Sequence, residues 1–141
     1  MRFADRPGAR GWLLVPAVVL AASGLAAGCG SSKPAYCTAG DQLKTSVQNL
    51  GNVNVAKNGL SSLQTALSSV TSDAKTFASE AKSTFAPQTT ALNTSLTGLK
   101  TAITAAKSQP SLTAASAVAS AVTQVKNSAT ALQSAVSGKC Q

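Results

Sequence analysis

The chain has 141 residues, a formal net charge of +8 and no histidine, and only 11% of its residues are charged. Its few acidic residues are widely spaced. Without histidine, the sequence therefore shows no pair of groups suited to general acid–base catalysis and no cluster of metal ligands. Asp73 and Glu80 would share one face of a helix, which we interpret as a solvated outer face. We therefore expect a protein that is not an enzyme and that has no catalytic residues, cofactor or metal site.

The first 28 residues have the three-part pattern of a secretory signal peptide. Arg2, Arg6 and Arg10 precede an uncharged apolar run, residues 12–27, that ends in small residues. A membrane-spanning helix is the alternative interpretation, but 16 residues interrupted by Pro16 are fewer than the roughly 20 that a bilayer core requires. We predict a signal peptide over residues 1–28.

The end of this segment resembles the lipobox of bacterial lipoproteins. Leu25-Ala26-Ala27-Gly28-Cys29 places small residues before a cysteine, although Ala26 stands where a large aliphatic residue is usual. The resemblance implies that Cys29 carries a diacylglycerol thioether and further acyl groups such as palmitate, which anchor the chain in the extracytoplasmic face of the cell membrane. Ordinary cleavage near Ala27 or Gly28, giving a freely secreted protein, is the alternative.

The number of cysteines fits lipidation. Secreted thiols usually pair, so an odd thiol requires an explanation. If Cys29 is lipidated, Cys37 and Cys140 remain as a pair that an oxidising compartment would join. Residues 29–36 then form a lipidated tether and residues 37–141 the folded domain, with the disulfide end nearest the membrane.

Three long amphipathic helices are predicted near residues 54–83, 88–107 and 111–137. In each, apolar residues recur alternately three and four positions apart, as in a heptad seam. The seams are Val53, Ala56, Leu60, Leu63, Leu67, Val70, Ala74, Phe77 and Ala81; Leu92, Leu96, Leu99, Ile103 and Ala106; and Ala115, Val118, Val122, Val125, Ala129, Leu132 and Val136. Pro87 is expected to separate the second and third helices, and Ser111 to cap the fourth.

A shorter first helix is predicted from Thr38 to Asn49. Thr38 and Asp41 have the spacing of a capping box, and residues 50–54 would continue the path as extended chain. The sequence thus predicts an all-α, antiparallel helical bundle of three long helices and one short N-terminal helix, stapled by a disulfide.

The whole pattern also resembles small helical lipoproteins of actinobacteria. The shared features are the leader, the Tyr36-Cys37 start of the domain, helices rich in Ala, Ser and Thr, the stretch at residues 53–59 and a cysteine near the C-terminus. The resemblance implies a lipid-anchored protein of the cell surface and brings no activity with it.

We predict a non-catalytic interaction or structural module, attached to membrane lipid through Cys29. From Cys29 onward the chain has nine lysines and three acids, a charge of +6. We interpret these spread lysines first as solubilising a polar surface, and the alternative is attraction to a further partner, an anionic wall polymer or a protein. Nucleic acid is not expected, because no basic cluster is interleaved with aromatic residues. The alternative function is a carrier that holds a small apolar ligand inside the bundle, lined by Phe77 and Phe85.

Phe85 and Pro87 are the predicted partner contact. Aromatic residues are enriched where interfaces concentrate their binding energy, and the turn that holds Phe85 and Pro87 is predicted to be the one farthest from the disulfide. Together with residues 51–55, these two residues would form an exposed tip that points away from the membrane.

Overall fold

The computed structural model describes residues 33–141. These residues form four α-helices: α1 (Ala35–Gly51), α2 (Val55–Ala81), α3 (Ala86–Ser108) and α4 (Leu112–Ser137). The predicted all-α class is confirmed. The predicted signal peptide and Cys29 lie outside the described residues.

The four helices form an antiparallel bundle, as predicted. α1 packs against α2 and α4, and α3 packs against the same two helices. The connections between consecutive helices are only three or four residues long, which is typical of neighbours that run in opposite directions. Among the described helices, none combines the length and the hydropathy needed to cross a membrane.

Helix α1 begins earlier and ends later than predicted. Pro34 is its N-cap residue, and the Pro34 carbonyl accepts a hydrogen bond from the Cys37 N–H at 2.9 Å. Thr38 therefore lies inside the helix, and the predicted capping box with Asp41 is wrong. The extended chain predicted for residues 50–54 shortens to residues 52–54, because the helix continues to Gly51.

The other three helices start where the local sequence supplies a capping side chain or a proline suited to the first turn. The Asn54 side chain accepts a hydrogen bond from the Lys57 N–H at 3.1 Å, and the Ser111 side chain accepts one from the Ala114 N–H at 3.0 Å. Pro87 lies in the first turn of α3, where its missing N–H leaves no helical bond unmade. The predicted Ser111 cap is confirmed, whereas the break between the second and third helices lies at residues 82–85, and Pro87 is within α3 and not between the helices.

The core consists mainly of the predicted seam residues. Its most completely buried side chains are Phe77, Leu50, Leu63, Leu92, Leu99, Ile103, Leu132, Val70 and Val125. Five seam residues are half-buried or exposed at one end of the bundle: Val53, Ala56, Leu60, Ala115 and Val122. The heptad pattern is therefore covered near the disulfide except at the half-buried Ala129 and is less completely covered at the opposite end.

The hydroxyl groups of the Ser-rich and Thr-rich helices bond mainly to their own backbone. Thr45 and Thr123 are examples, each donating to the carbonyl oxygen four residues earlier. The buried Thr89 donates to the Phe85 carbonyl at 2.9 Å. Within residues 33–141 every buried side-chain polar atom has a hydrogen-bond partner.

Gly59 interrupts α2 with φ 72° and ψ 176°, a backbone conformation that residues with a side chain rarely adopt. We expect Gly59→Ala to lower the free energy of unfolding by about 1–3 kcal/mol, measured by urea denaturation. A Cβ at Gly59 would meet no atom within 4 Å, so the loss would come from backbone strain alone.

Gly98→Ala is the matched control for this substitution. A Cβ at Gly98 also meets no atom within 4 Å, but Gly98 lies in the regular interior of α3. Alanine there should raise the free energy of unfolding by about 0.5–1 kcal/mol. An equal gain from both substitutions would contradict the conformation assigned to Gly59.

Candidate functional site

A disulfide joins the start of α1 to the residues that follow α4. The Cys37 and Cys140 sulfurs are bonded at 2.00 Å, with the two Cα atoms 5.9 Å apart. The predicted disulfide is confirmed. It marks one end of the bundle, which we call the disulfide end.

Phe85 is a core residue at the disulfide end, so the predicted exposed tip is wrong. The side chain is only 3% exposed, and its ring centroid lies 5.3 Å from that of Tyr36 and 5.7 Å from that of Phe77. Tyr36 adjoins Cys37, so the turn between α2 and α3 lies beside the disulfide. The reason is topological: in a bundle of four antiparallel helices, the two chain ends and the middle turn share one end.

The predicted contact residues therefore do not form one surface. Pro87 is exposed in the first turn of α3, whereas Phe85 points into the core. Residues 51–55, which were expected beside them, connect α1 to α2 at the opposite end of the bundle. Phe77 and Phe85 also pack on each other and do not line the groove described next.

An open apolar groove lies at the end of the bundle opposite the disulfide end. We call it the apolar groove; its volume is about 530 Å³. Val53, Val55 and Leu60 line one wall, and Val118 and Val122 of α4 line the other. Sequence reasoning predicted most of these residues as buried seam positions and did not identify the groove.

The apolar groove exists because α1 is the shortest helix. Its 17 residues span about 25 Å, whereas the 26 residues of α4 span about 39 Å. α1 starts, and α4 finishes, at the disulfide end, so α4 extends about 14 Å past the end of α1. Residues 52–59 cross this gap without filling it, which leaves Ala115 exposed and Val122 half-buried.

Lys126 provides the only charge among the residues that line the apolar groove. Its side chain lies across Gly51: a Cβ built on Gly51 would be 3.3 Å from Lys126 Cδ and 3.7 Å from Lys126 Nζ. The absence of a side chain at Gly51 therefore leaves room for the lysine at the end of α1. Leu112, which is 92% exposed, follows the groove-lining Ser111 in the chain.

The acidic residues of the described chain lie away from the apolar groove. Asp41 is in the first half of α1 and Glu80 is near the end of α2, both toward the disulfide end. Asp73 accepts a hydrogen bond from the Ser46 hydroxyl and so ties α2 to α1. Within residues 33–141 no group of three or more His, Cys, Asp or Glu residues is placed to hold a metal ion.

Two other depressions differ from the apolar groove in size or in chemistry. One, beside the disulfide, has a volume of only about 110 Å³. The other lies between α2 and α3, has a volume of about 660 Å³, and is lined largely by hydroxyl and amide side chains with Lys75 and Lys100. Of these three depressions among residues 33–141, the apolar groove is the one that combines ligand-sized volume with mainly apolar walls.

No protein-family model, curated protein or solved structure matches this chain. The sequence pattern and the geometry of the bundle are therefore the grounds on which a function is assigned.

Proposed function

We propose that this protein is a lipid-anchored, non-catalytic binding module on the extracytoplasmic face of the cell membrane. The observation that carries the proposal is the use of the cysteines. Cys37 and Cys140 form the disulfide, and Cys29, which ends the lipobox-like segment, is the remaining cysteine. A structural disulfide is typical of an oxidising compartment, and the secretory leader would deliver the chain to one.

The anchor would present the apolar groove to the outside. Cys29 precedes Cys37 by eight residues, which span at most about 26–29 Å when fully extended. A lipid on Cys29 would therefore hold the disulfide end toward the membrane. The apolar groove, at the other end of a bundle about 39 Å long, would then face outward as the binding surface.

A further partner of this module would be a protein or an anionic wall polymer. From Cys29 onward lysines outnumber acids by nine to three, and a net positive surface attracts polyanions at low ionic strength. Lys57, near the start of α2, and Lys107, near the end of α3, lie toward the end of the bundle that holds the apolar groove. The exposed Leu112, at the start of α4, lies toward the same end. Salt-sensitive retention of the protein on isolated cell wall would support the polymer as the partner.

Lipidation is tested by growing cells with an alkyne analogue of palmitate and detecting the label on the purified protein. We expect the wild-type chain to be labelled and Cys29→Ala to be unlabelled, because the thioether requires the Cys29 sulfur. Two or three acyl chains, at about 0.8 kcal/mol per buried CH₂, hold a protein stably in a membrane. The wild-type chain should accordingly partition into detergent.

The double variant Cys37→Ala/Cys140→Ala is the matched control for lipidation. It removes two cysteines but keeps Cys29, so it should be labelled like the wild-type chain. Equal labelling of Cys29→Ala and the wild type would contradict the anchor, and an unlabelled wild-type protein in the culture medium would favour the freely secreted alternative.

A further inference from the structure

We propose that the apolar groove binds one long-chain fatty acid, whose carboxylate pairs with the ammonium group of Lys126. This assignment rests on the binding function proposed above and names its ligand. It does not require lipidation of Cys29, so the two proposals are tested separately.

The size and the walls of the apolar groove suit a single acyl chain. Its volume of about 530 Å³ lies within the roughly 300–1,000 Å³ typical of small-ligand sites. Val53, Leu60 and Val122 are half-buried apolar seam residues, and a hydrocarbon chain would complete their burial. A stable protein–protein interface uses about 20–30 residues a side, whereas 15 residues line the apolar groove.

The length of the apolar groove also fits an acyl chain. Its α4 wall runs from Ser111 to Lys126, about 22 Å along the helix. The hydrocarbon core of a bilayer is about 30 Å thick and two chains deep, so one membrane acyl chain spans about 15 Å. A chain of that length fits between Lys126 at the inner end and Ser111 at the outer end.

The charge of Lys126 indicates which headgroup the bound ligand should carry. Lys126 is the one charged lining residue, and no carboxylate lines the walls. Lys126 is exposed at the edge of the groove, and a neutral apolar ligand offers its ammonium group no partner of opposite charge. A carboxylate would instead form a charge-assisted hydrogen bond with the Lys126 ammonium group, beside the apolar walls that hold the hydrocarbon chain.

The proposal is tested by photolabelling the mature, full-length protein in phosphatidylcholine vesicles with a palmitic acid that carries a diazirine on its chain. After irradiation, peptide mass spectrometry locates the label. We expect labelling to concentrate in residues 53–63 and 110–126. Labelling spread evenly over the four helices would overturn the proposal.

Two matched pairs of variants test the site itself. Ala119 and Ala117 are both exposed on α4, but only Ala119 lines the apolar groove. Ala119→Trp should therefore reduce labelling about tenfold or more by filling the groove, and Ala117→Trp should leave labelling unchanged. Circular dichroism would show that both variants keep the helical content of the wild type.

The second pair tests the headgroup. Lys126→Met should reduce labelling about two- to fivefold, the factor expected for loss of an ion pair at an exposed lysine, whereas Lys100→Met, outside the groove, should not. Unlabelled palmitic acid should also compete with the photolabel at a lower mole fraction than palmityl alcohol, which has no charge. Unchanged labelling in Ala119→Trp or Lys126→Met, or equal competition by the alcohol, would overturn the proposal.

Discussion

Replacing Phe85 with serine is expected to lower the free energy of unfolding by about 3–5 kcal/mol, the range for truncating a buried phenylalanine. The Phe85 ring is 3% exposed and packs against the rings of Tyr36 and Phe77. The substitution would leave a cavity among these rings and place a hydroxyl group in it. Small domains have about 5–15 kcal/mol of total stability, so the variant should unfold at much lower urea concentration.

Ala86→Ser is the matched control for this measurement. Ala86 is the next residue along the chain and is exposed at the start of α3, so serine there should change the free energy of unfolding by no more than about 0.5 kcal/mol. Urea denaturation followed by far-UV circular dichroism measures both variants. Wild-type stability of Phe85→Ser would mean that the ring is exposed, as the sequence alone had indicated.

Removing the disulfide is expected to lower the free energy of unfolding by about 4–5 kcal/mol, the chain-entropy value for a closed loop of about 100 residues. Cys37 and Cys140 are 103 residues apart, so the bond constrains nearly the whole domain in the unfolded state. The double variant Cys37→Ala/Cys140→Ala should remain helical, because the buried seams of α2, α3 and α4 do not depend on the bond.

The dependence of the unfolding free energy on urea concentration distinguishes the loss of the disulfide constraint on the unfolded chain from a loss of packing in the folded one. An unfolded chain without the disulfide exposes more surface, so the denaturant slope m should rise in the double variant. Cys29→Ala, assayed in the same way, should leave both the unfolding free energy and the slope unchanged. A double variant with wild-type stability would contradict the disulfide.

Much of the fold follows directly from the sequence, because each long helix buries one continuous stripe. The three-and-four spacing at Leu63, Leu67 and Val70 is enough to identify α2 and its buried face. The Ser111 cap and Pro87 define helix starts through local backbone chemistry, which neighbouring residues in the sequence reveal. Features of this kind require no knowledge of the tertiary structure.

Burial of particular residues was less predictable, because it depends on distant parts of the chain. The seam pattern shows that Leu60 and Val122 lie on an apolar face, but their exposure is set by where α1 ends. Phe85 lies outside every heptad, and its burial follows from the topology that brings it beside Tyr36. One feature of the sequence could have indicated the apolar groove: the first helix was predicted to be much shorter than the other three, so it could not cover their whole length.

The measurement that tests the central claim most directly is the intact mass of the mature protein, purified from its own membrane without reductant. We expect a chain that runs from Cys29 to Gln141, carries the mass of its acyl groups, and is lighter than the reduced chain by the hydrogens lost in forming the Cys37–Cys140 disulfide. A mature chain that begins at Gly28 or Gly30 without lipid would contradict the account of a lipid-anchored module.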